Sequence, residues 1–130
     1  MNLGQGCQQN WVLAVDDECG MLELVKSELE REGFAVQTAS LPTEALSLYE
    51  EHWREIKVVV SDFKMPGMNG EALFDHLQRI NPEVRAILMT GFYGDRVAAP
   101  LFAKGLRRCI EKPFHLEELV DGVRDAMVAD

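Results

Sequence analysis

The chain has 130 residues, of which 47% are hydrophobic and 27% are charged, values that fit one globular domain with its own core. Its formal net charge of −9 makes the surface acidic, and an acidic surface repels the phosphate backbone of nucleic acids. We therefore expect no direct binding of nucleic acid by this chain, and we expect it to attract cations or basic partners.

The first ten residues and the cysteines bear on where the protein works. Residues 1–10 are polar and have neither a basic start nor an apolar stretch, so we expect a loose leader rather than a signal peptide. Cys7, Cys19 and Cys109 form no CxxC pair, which argues against a disulfide framework and for a reducing compartment. No apolar run is long enough to span a bilayer. We predict a cytoplasmic protein without membrane contact.

Five short apolar runs predict the strands of a sheet. The first, third and fourth runs are almost continuously apolar, which is typical of strands buried on both faces of a parallel sheet. The second and fifth runs carry more polar residues, and we expect them nearer an edge. The five predicted strands cover residues 11–15, 34–38, 56–60, 84–89 and 106–110.

Helical periodicity occupies the segments between these runs. We expect Gly33 to end the first helix, Ser40 to begin the second with Pro42 in its first turn, and Pro82 to follow the third. The apolar stripes of the first, third and last helices comprise Met21, Leu22, Val25 and Leu29; Ala72, Leu73, Leu77 and Ile80; and Leu116, Leu119, Val120, Val123 and Met127.

The fourth helix is harder to predict because Pro100 lies inside its segment, "GDRVAAPLFAKG". An interior proline removes one hydrogen bond and clashes with the preceding turn. We expect a short or distorted helix that starts late, around Ala99, or bends at Pro100. Strand and helix then alternate five times, which implies a parallel sheet with right-handed crossovers and helices on both faces.

Polar side chains lie just past the carboxyl ends of four of the predicted strands. Asp16 and Asp17 follow the first strand, Asp62 the third, Thr90 the fourth and Lys112 the fifth. Each of them, taken singly, has the ordinary explanation of a turn residue or helix cap. The carboxyl ends of parallel strands share one edge, however, and ligands bind at that edge in open α/β sheets. Their joint placement therefore favours a common site.

The residue types at this edge suit phosphoryl chemistry. Three clustered carboxylates repel one another unless one takes up a proton or a cation joins them. Carboxylate oxygens suit Mg²⁺, which prefers one or two carboxylates together with a phosphate. Asp62 is the candidate nucleophile because a carboxylate can form an acyl phosphate. Lys112 and Thr90 would supply charge neutralisation and a hydrogen bond to the phosphoryl oxygens.

Four motifs together resemble the response-regulator receiver domain of two-component signalling, a bacterial phosphoprotein module. They are "AVDDE", "SDFKMPGMNG", "ILMTG" and "EKPF", in this order and at this spacing. We assign residues 11–130 to this receiver domain and residues 1–10 to the leader. The resemblance implies a flavodoxin-like (βα)5 fold, a doubly wound parallel sheet with strand order 2-1-3-4-5.

The resemblance also implies the reaction. Asp62 would accept a phosphoryl group from a phosphohistidine, while Thr90 and Lys112 contact that group and Thr90 shifts inward. The Lys112–Pro113 peptide bond is expected to be cis. The domain would not be an enzyme beyond its own phosphoryl transfer and slow self-dephosphorylation.

The implied cofactor is Mg²⁺, and the implied ligands are Asp17 and Asp62 directly, Asp16 mainly through water, and the backbone carbonyl of Lys64. The implied partners are a histidine kinase or a histidine phosphotransfer protein as phosphoryl donor, a fused or separate output domain, and a second copy in a homodimer that phosphorylation could favour.

Three positions need separate comment. The family usually carries an aromatic residue three positions before the conserved lysine, where this chain has Cys109. A small thiol cannot act through burial of a ring, and Phe92 or Phe102 could take over that part. Lys64 and Phe92 occupy positions that tune the phosphoryl lifetime, and we predict slow self-hydrolysis because Phe92 could shield the group from water.

Two other functions stay open. One is a receiver-like interaction module that is never phosphorylated, although the complete set of acids, threonine and lysine argues against it. The other is a haloacid-dehalogenase-like phosphatase, which needs a second aspartate two residues after the nucleophile. This chain has Lys64 at that position and no segment that could cap a substrate.

Overall fold

The computed structural model describes the backbone of residues 11–91 and 94–128, together with their side chains except those of residues 94–98. The predicted leader, residues 1–10, lies outside the described residues. Strands and helices alternate throughout. The elements are β1 (Trp11–Val15), α1 (Cys19–Arg31), β2 (Ala35–Ala39), α2 (Pro42–His52), β3 (Ile56–Asp62), α3 (Gly70–Ile80), β4 (Ala86–Thr90), α4 (Gly94–Lys104), β5 (Arg108–Glu111) and α5 (Leu116–Val128).

All strand pairs are parallel, and the strands lie in the order β2-β1-β3-β4-β5. The predicted flavodoxin-like fold and strand order are confirmed. The two more polar strands, β2 and β5, form the edges, as the sequence indicates. Among the described helices, none is long and apolar enough to cross a membrane.

The sheet separates two core layers, because successive side chains of a strand point to opposite faces. One layer packs under α2, α3 and α4 and includes Leu13, Val59 and Leu88. The other layer packs under α1 and α5 and includes Ala14 and Val60. We call them the α4 layer and the α5 layer. Both layers extend to buried strand residues that directly precede the carboxyl edge of the sheet.

Two predicted helix boundaries have different outcomes. Gly33 ends α1 as expected, because its φ of 99° suits glycine and its N–H donates to the Glu30 carbonyl at 3.1 Å. The expected start of α2 at Ser40 is wrong, since the helix begins at Pro42. Ser40 contributes its backbone instead, donating its N–H to the carboxylate of Glu44 at 3.0 Å.

The expected late start of α4 near Ala99 is also wrong, and the alternative of a bend at Pro100 stays a prediction. The helix begins at Gly94 and continues past Pro100 to Lys104. The interior proline costs about 3 kcal/mol. Leu101 offsets this cost, because its side chain is 0% exposed and its full burial stabilises the fold by about 1.5–3 kcal/mol. Tertiary packing thus recovers a large part of the local cost of the proline, and the helix forms across it.

β1 has its predicted bounds, and the other strands differ from theirs by at most two residues at either end. Two of these shifts matter for function. β3 extends to Asp62 and β4 to Thr90, so both residues are the last of their strands rather than the first of a loop. The parallel ladder continues that far because Asp62 pairs with Met89, and the Phe63 N–H donates to the Met89 carbonyl at 2.9 Å. Both side chains are therefore held by sheet backbone.

Candidate functional site

Three carboxylates meet at the carboxyl edge of the sheet. Asp16 and Asp17 directly follow β1, and Asp62 ends the neighbouring strand β3. One oxygen from each carboxylate lies within 4.8 Å of the other two. Asp16 and Asp62 are buried, whereas Asp17 is exposed. The sheet order thus brings together acids that are 45 residues apart in the chain.

Asp16 carries the least balanced charge of this cluster. Its Oδ1 accepts the Glu18 N–H at 2.9 Å, but its buried Oδ2 has no hydrogen-bond partner among the residues that the structure describes. Burial raises the pKa of Asp16 and the charge of Asp62 adds to the rise, while the Glu18 N–H opposes it. A buried carboxylate oxygen without a partner is costly, and a cation at this point would remove the cost.

Lys112 supplies the positive charge of the site. Its Nζ lies 2.9 Å from Asp62 Oδ1, and the two side chains are only 28% and 10% exposed. Desolvation lowers the pKa of Lys112, but the hydrogen bond and charge of Asp62 outweigh it, so the pKa is raised. The Lys112–Pro113 peptide bond is cis, as the resemblance implies.

Thr90 lies at the same edge but bonds elsewhere. It is 2% exposed, and its Oγ1 is 3.3 Å from the Sγ of Cys109 on β5. Its carbonyl accepts the N–H of Lys112 at 2.6 Å, which ties the end of β4 to the loop after β5. Sequence reasoning missed the pair with Cys109, because that pair depends on the register of β4 against β5.

The loop after Asp62 is shaped by a glycine that sequence reasoning also missed. A Cβ added to Gly70 would lie 2.9 Å from the Phe63 Cα and 3.2 Å from the Asp62 carbonyl oxygen. The Gly70 N–H donates to the Phe63 carbonyl at 2.6 Å, and Asn69 caps α3 by accepting the Ala72 N–H. Asparagine followed by glycine at a helix start was the available signal.

The remaining sequence hypotheses have mixed outcomes. Lys64 is exposed in the loop after Asp62, and the role of its carbonyl as a ligand stays a prediction. Phe92 lies outside the described residues, so the hypotheses that rest on it stay predictions. Phe102 is 46% exposed on α4, whereas the neighbouring Leu101 is buried. The group that contacts the Thr90 hydroxyl is Cys109.

Comparison with known proteins decides the family. The family model described as the response regulator receiver domain matches residues 12–124. The chain belongs to this family. Its parallel sheet and strand order are those of a receiver domain of two-component systems.

Solved structures of other receiver domains are similar to this one over almost its whole length. A response regulator receiver domain protein from Clostridium thermocellum is 33% identical, has a TM-score of 0.84, and the match covers 90% of this chain and 93% of that one. The receiver domain of NtrX from Brucella abortus is 28% identical with a TM-score of 0.83, covering 92% of this chain and 99% of that one.

Curated relatives are much longer than the receiver domain. The sensor kinase CckA of Brucella abortus is 33% identical over 89% of this chain and 12% of its own length. The C4-dicarboxylate transport transcriptional regulatory protein DctD of Rhizobium meliloti is 34% identical over 88% of this chain and 25% of its length. The receiver domain thus spans a quarter or less of these two proteins.

Proposed function

We propose that this receiver domain is a phosphorylation-activated signalling switch with Asp62 as the phosphoryl acceptor. The observation that carries the proposal is the position of the Asp62 carboxylate, between the acids of β1 and the ammonium group of Lys112. A buried carboxylate can attack phosphorus, and a lysine at 2.9 Å can neutralise the charge of the oxygens that it acquires.

In the proposed reaction an oxygen of Asp62 attacks the phosphorus of a phosphohistidine. The new O–P bond forms as the P–N bond breaks, and the histidine leaves with the electron pair of that bond. Lys112 holds one phosphoryl oxygen, and Thr90 donates a hydrogen bond to another. The domain turns over no small molecule; it catalyses only its own phosphorylation and a slow hydrolysis of the aspartyl phosphate.

The site fits Mg²⁺, because its donors are hard carboxylate oxygens and one of them, Asp16 Oδ2, is buried without a protein partner among the described residues. Asp17 and Asp62 would bind the ion directly, Asp16 through water, and the Lys64 carbonyl would complete the protein ligands. The ion would neutralise charge on the phosphoryl oxygens.

The relatives support the identity of the partners. One is named a sensor kinase and another a transcriptional regulatory protein, and this chain matches only part of each. We infer that a histidine kinase or histidine phosphotransfer protein donates the phosphoryl group, and that a fused or separate output domain responds. A cytoplasmic location follows from that role.

The test is phosphorylation by acetyl phosphate in the presence of Mg²⁺, followed by intact-protein mass spectrometry. We expect the native protein to gain the mass of one phosphoryl group and the Asp62→Asn variant to show no such gain. Asp75→Asn is the matched control, because Asp75 lies on α3 in an exposed ion pair with Lys104. The Asp75→Asn variant should be phosphorylated to the same extent as the native protein.

Two results would contradict the proposal. If the native protein gains no phosphoryl group, the receiver-like interaction module becomes the better interpretation. If the protein instead hydrolyses phosphomonoesters through many turnovers, it acts as a phosphatase of the haloacid-dehalogenase type.

A further inference from the structure

The Thr90 hydroxyl and the Asp62 carboxylate leave the sheet on opposite faces. Asp62 pairs with Met89, and Met89 belongs to the α5 layer. Paired residues of a ladder share a face and successive residues alternate, so Thr90 points with Leu88 toward the α4 layer. The hydroxyl that is proposed to bind the phosphoryl group therefore begins on the wrong side of the sheet for that contact.

Cys109 is the group that bonds the Thr90 hydroxyl on this side. It pairs with Leu88 and packs against the α4 layer, and its Sγ lies 3.3 Å from Thr90 Oγ1. Thr90 is 2% exposed, so water competes little for its hydroxyl. The Thr90 side chain has three staggered rotamers and occupies one at a time. The contact with Cys109 stabilises the rotamer that places the hydroxyl on the α4 side.

We propose that Cys109 is a positioning residue that holds the Thr90 hydroxyl toward α4 until Asp62 is phosphorylated. The inference rests on the proposed function. The carboxylate of Asp62 lies on the other face of the sheet, so Thr90 has to turn away from Cys109 before its hydroxyl can donate to a phosphoryl oxygen. A thiol is a weak hydrogen-bonding group, so this bond costs little to break. Where the family usually carries an aromatic ring, this chain thus has a small thiol that restrains Thr90 through a hydrogen bond.

The experiment measures binding of beryllofluoride, a stable mimic of the phosphoryl group, to the whole chain with Mg²⁺ by fluorine NMR. Cys109→Ala and Cys109→Val remove the hydrogen bond, and Cys109→Ser keeps one. We expect the alanine and valine variants to bind beryllofluoride about twofold to tenfold more tightly than the native protein. The serine variant should bind no more tightly than the native protein, because its hydroxyl still bonds Thr90.

A double-mutant cycle separates this role from simple packing. Thr90→Val removes the hydroxyl and nearly preserves the shape, so adding Cys109→Ala to it should leave the affinity unchanged. If Cys109→Ala changes the affinity equally with and without the Thr90 hydroxyl, or if the serine and alanine variants behave alike, the proposal is wrong. If the native protein binds no beryllofluoride at all, the proposed function itself fails, which is a different result from native binding that Cys109 does not affect.

Discussion

The charged side chains at the two ends of the parallel sheet are arranged differently. At the amino end, an open cleft of about 1150 Å³ is lined by four basic side chains, Arg54, Lys57, Arg85 and Arg107. Two of them bond backbone carbonyls: Arg85 donates to the last turn of α5 at 2.8 and 3.0 Å, and Lys57 donates to the Arg54 carbonyl in the turn after α2 at 2.9 Å. These cations complement the negative ends of helices.

At the carboxyl end the charges are crowded rather than paired. Three carboxylates share a small volume, one ammonium group reaches one of them, and Asp16 keeps a buried oxygen without a described partner. Two cations of the cleft thus take part in folding contacts, whereas no described group balances the buried Asp16 oxygen, which supports the proposed cation there. Unbalanced charge locates the chemistry here better than the size of a cavity does.

The largest effect is expected for Lys112→Ala. Removing the ammonium group leaves the phosphoryl charge unneutralised, so the rate of phosphorylation by acetyl phosphate should fall about a hundredfold to a thousandfold. Lys104→Ala is the control, because Lys104 is exposed and pairs only with Asp75 among described residues. Equal rates for the two variants would show that the ion pair with Asp62 has no part in the reaction.

A smaller effect, on stability alone, is expected at the other end of the sheet for Arg85→Met. The variant loses two charge-assisted hydrogen bonds to the end of α5, and its free energy of unfolding should fall by about 1.5–3 kcal/mol in urea titration. Arg54→Met is the control, because the exposed Arg54 guanidinium stacks on Trp53 and has no ion pair with a described residue; its loss should cost about 0.5–1 kcal/mol. If Arg85→Met also impairs phosphorylation, it is wrong to assign only a stabilising role to the charges at the amino end of the sheet.

The smallest effect is expected for Asp16→Asn, and its sign is opposite. In the absence of Mg²⁺ the neutral amide removes repulsion from Asp62, so the free energy of unfolding at pH 7 should rise by about 1 kcal/mol. Mg²⁺ binding, measured by calorimetry, should weaken in the same variant. Asp17→Asn should stabilise the metal-free protein less, because Asp17 is exposed.

The pH dependence gives the same prediction a second measurement. Burial raises the folded-state pKa of Asp16 above its unfolded value, so the folded protein takes up this proton first as the pH falls. The penalty of the ionised carboxylate is present above the folded pKa and disappears below it. The stability difference between Asp16→Asn and the native protein should therefore shrink on acidification, and a constant difference would contradict the assignment.

Most of the fold could be predicted because it depends on patterns that are local in sequence. Apolar runs specify the strands, and polar residues directly after them specify the shared edge. The start of α4 could not be predicted, because the burial of Leu101 offsets much of the local cost of Pro100. Local preferences are therefore a weaker guide wherever a core residue follows a helix-breaking residue.

The site itself was predictable as a set of residues but not as a network. Asp16, Asp62 and Lys112 were identifiable from their places after strands, and the structure brings them together. The bond between Thr90 and Cys109 depends on strand register and on one side-chain rotation. The close approach around Gly70 depends on the path of a loop. Neither feature leaves a periodic signal in the chain.

The separation of the core by the sheet has a consequence for how partners can meet this protein. Asp62 belongs to the side packed under α1 and α5, while Thr90 and Cys109 belong to the side packed under α4. If the proposed phosphoryl donor docks over α1 and α5 and the proposed output partner docks on α4, the two occupy different faces of the domain. Both partners could then stay bound at the same time, so the output partner would not have to wait until the phosphoryl donor dissociates.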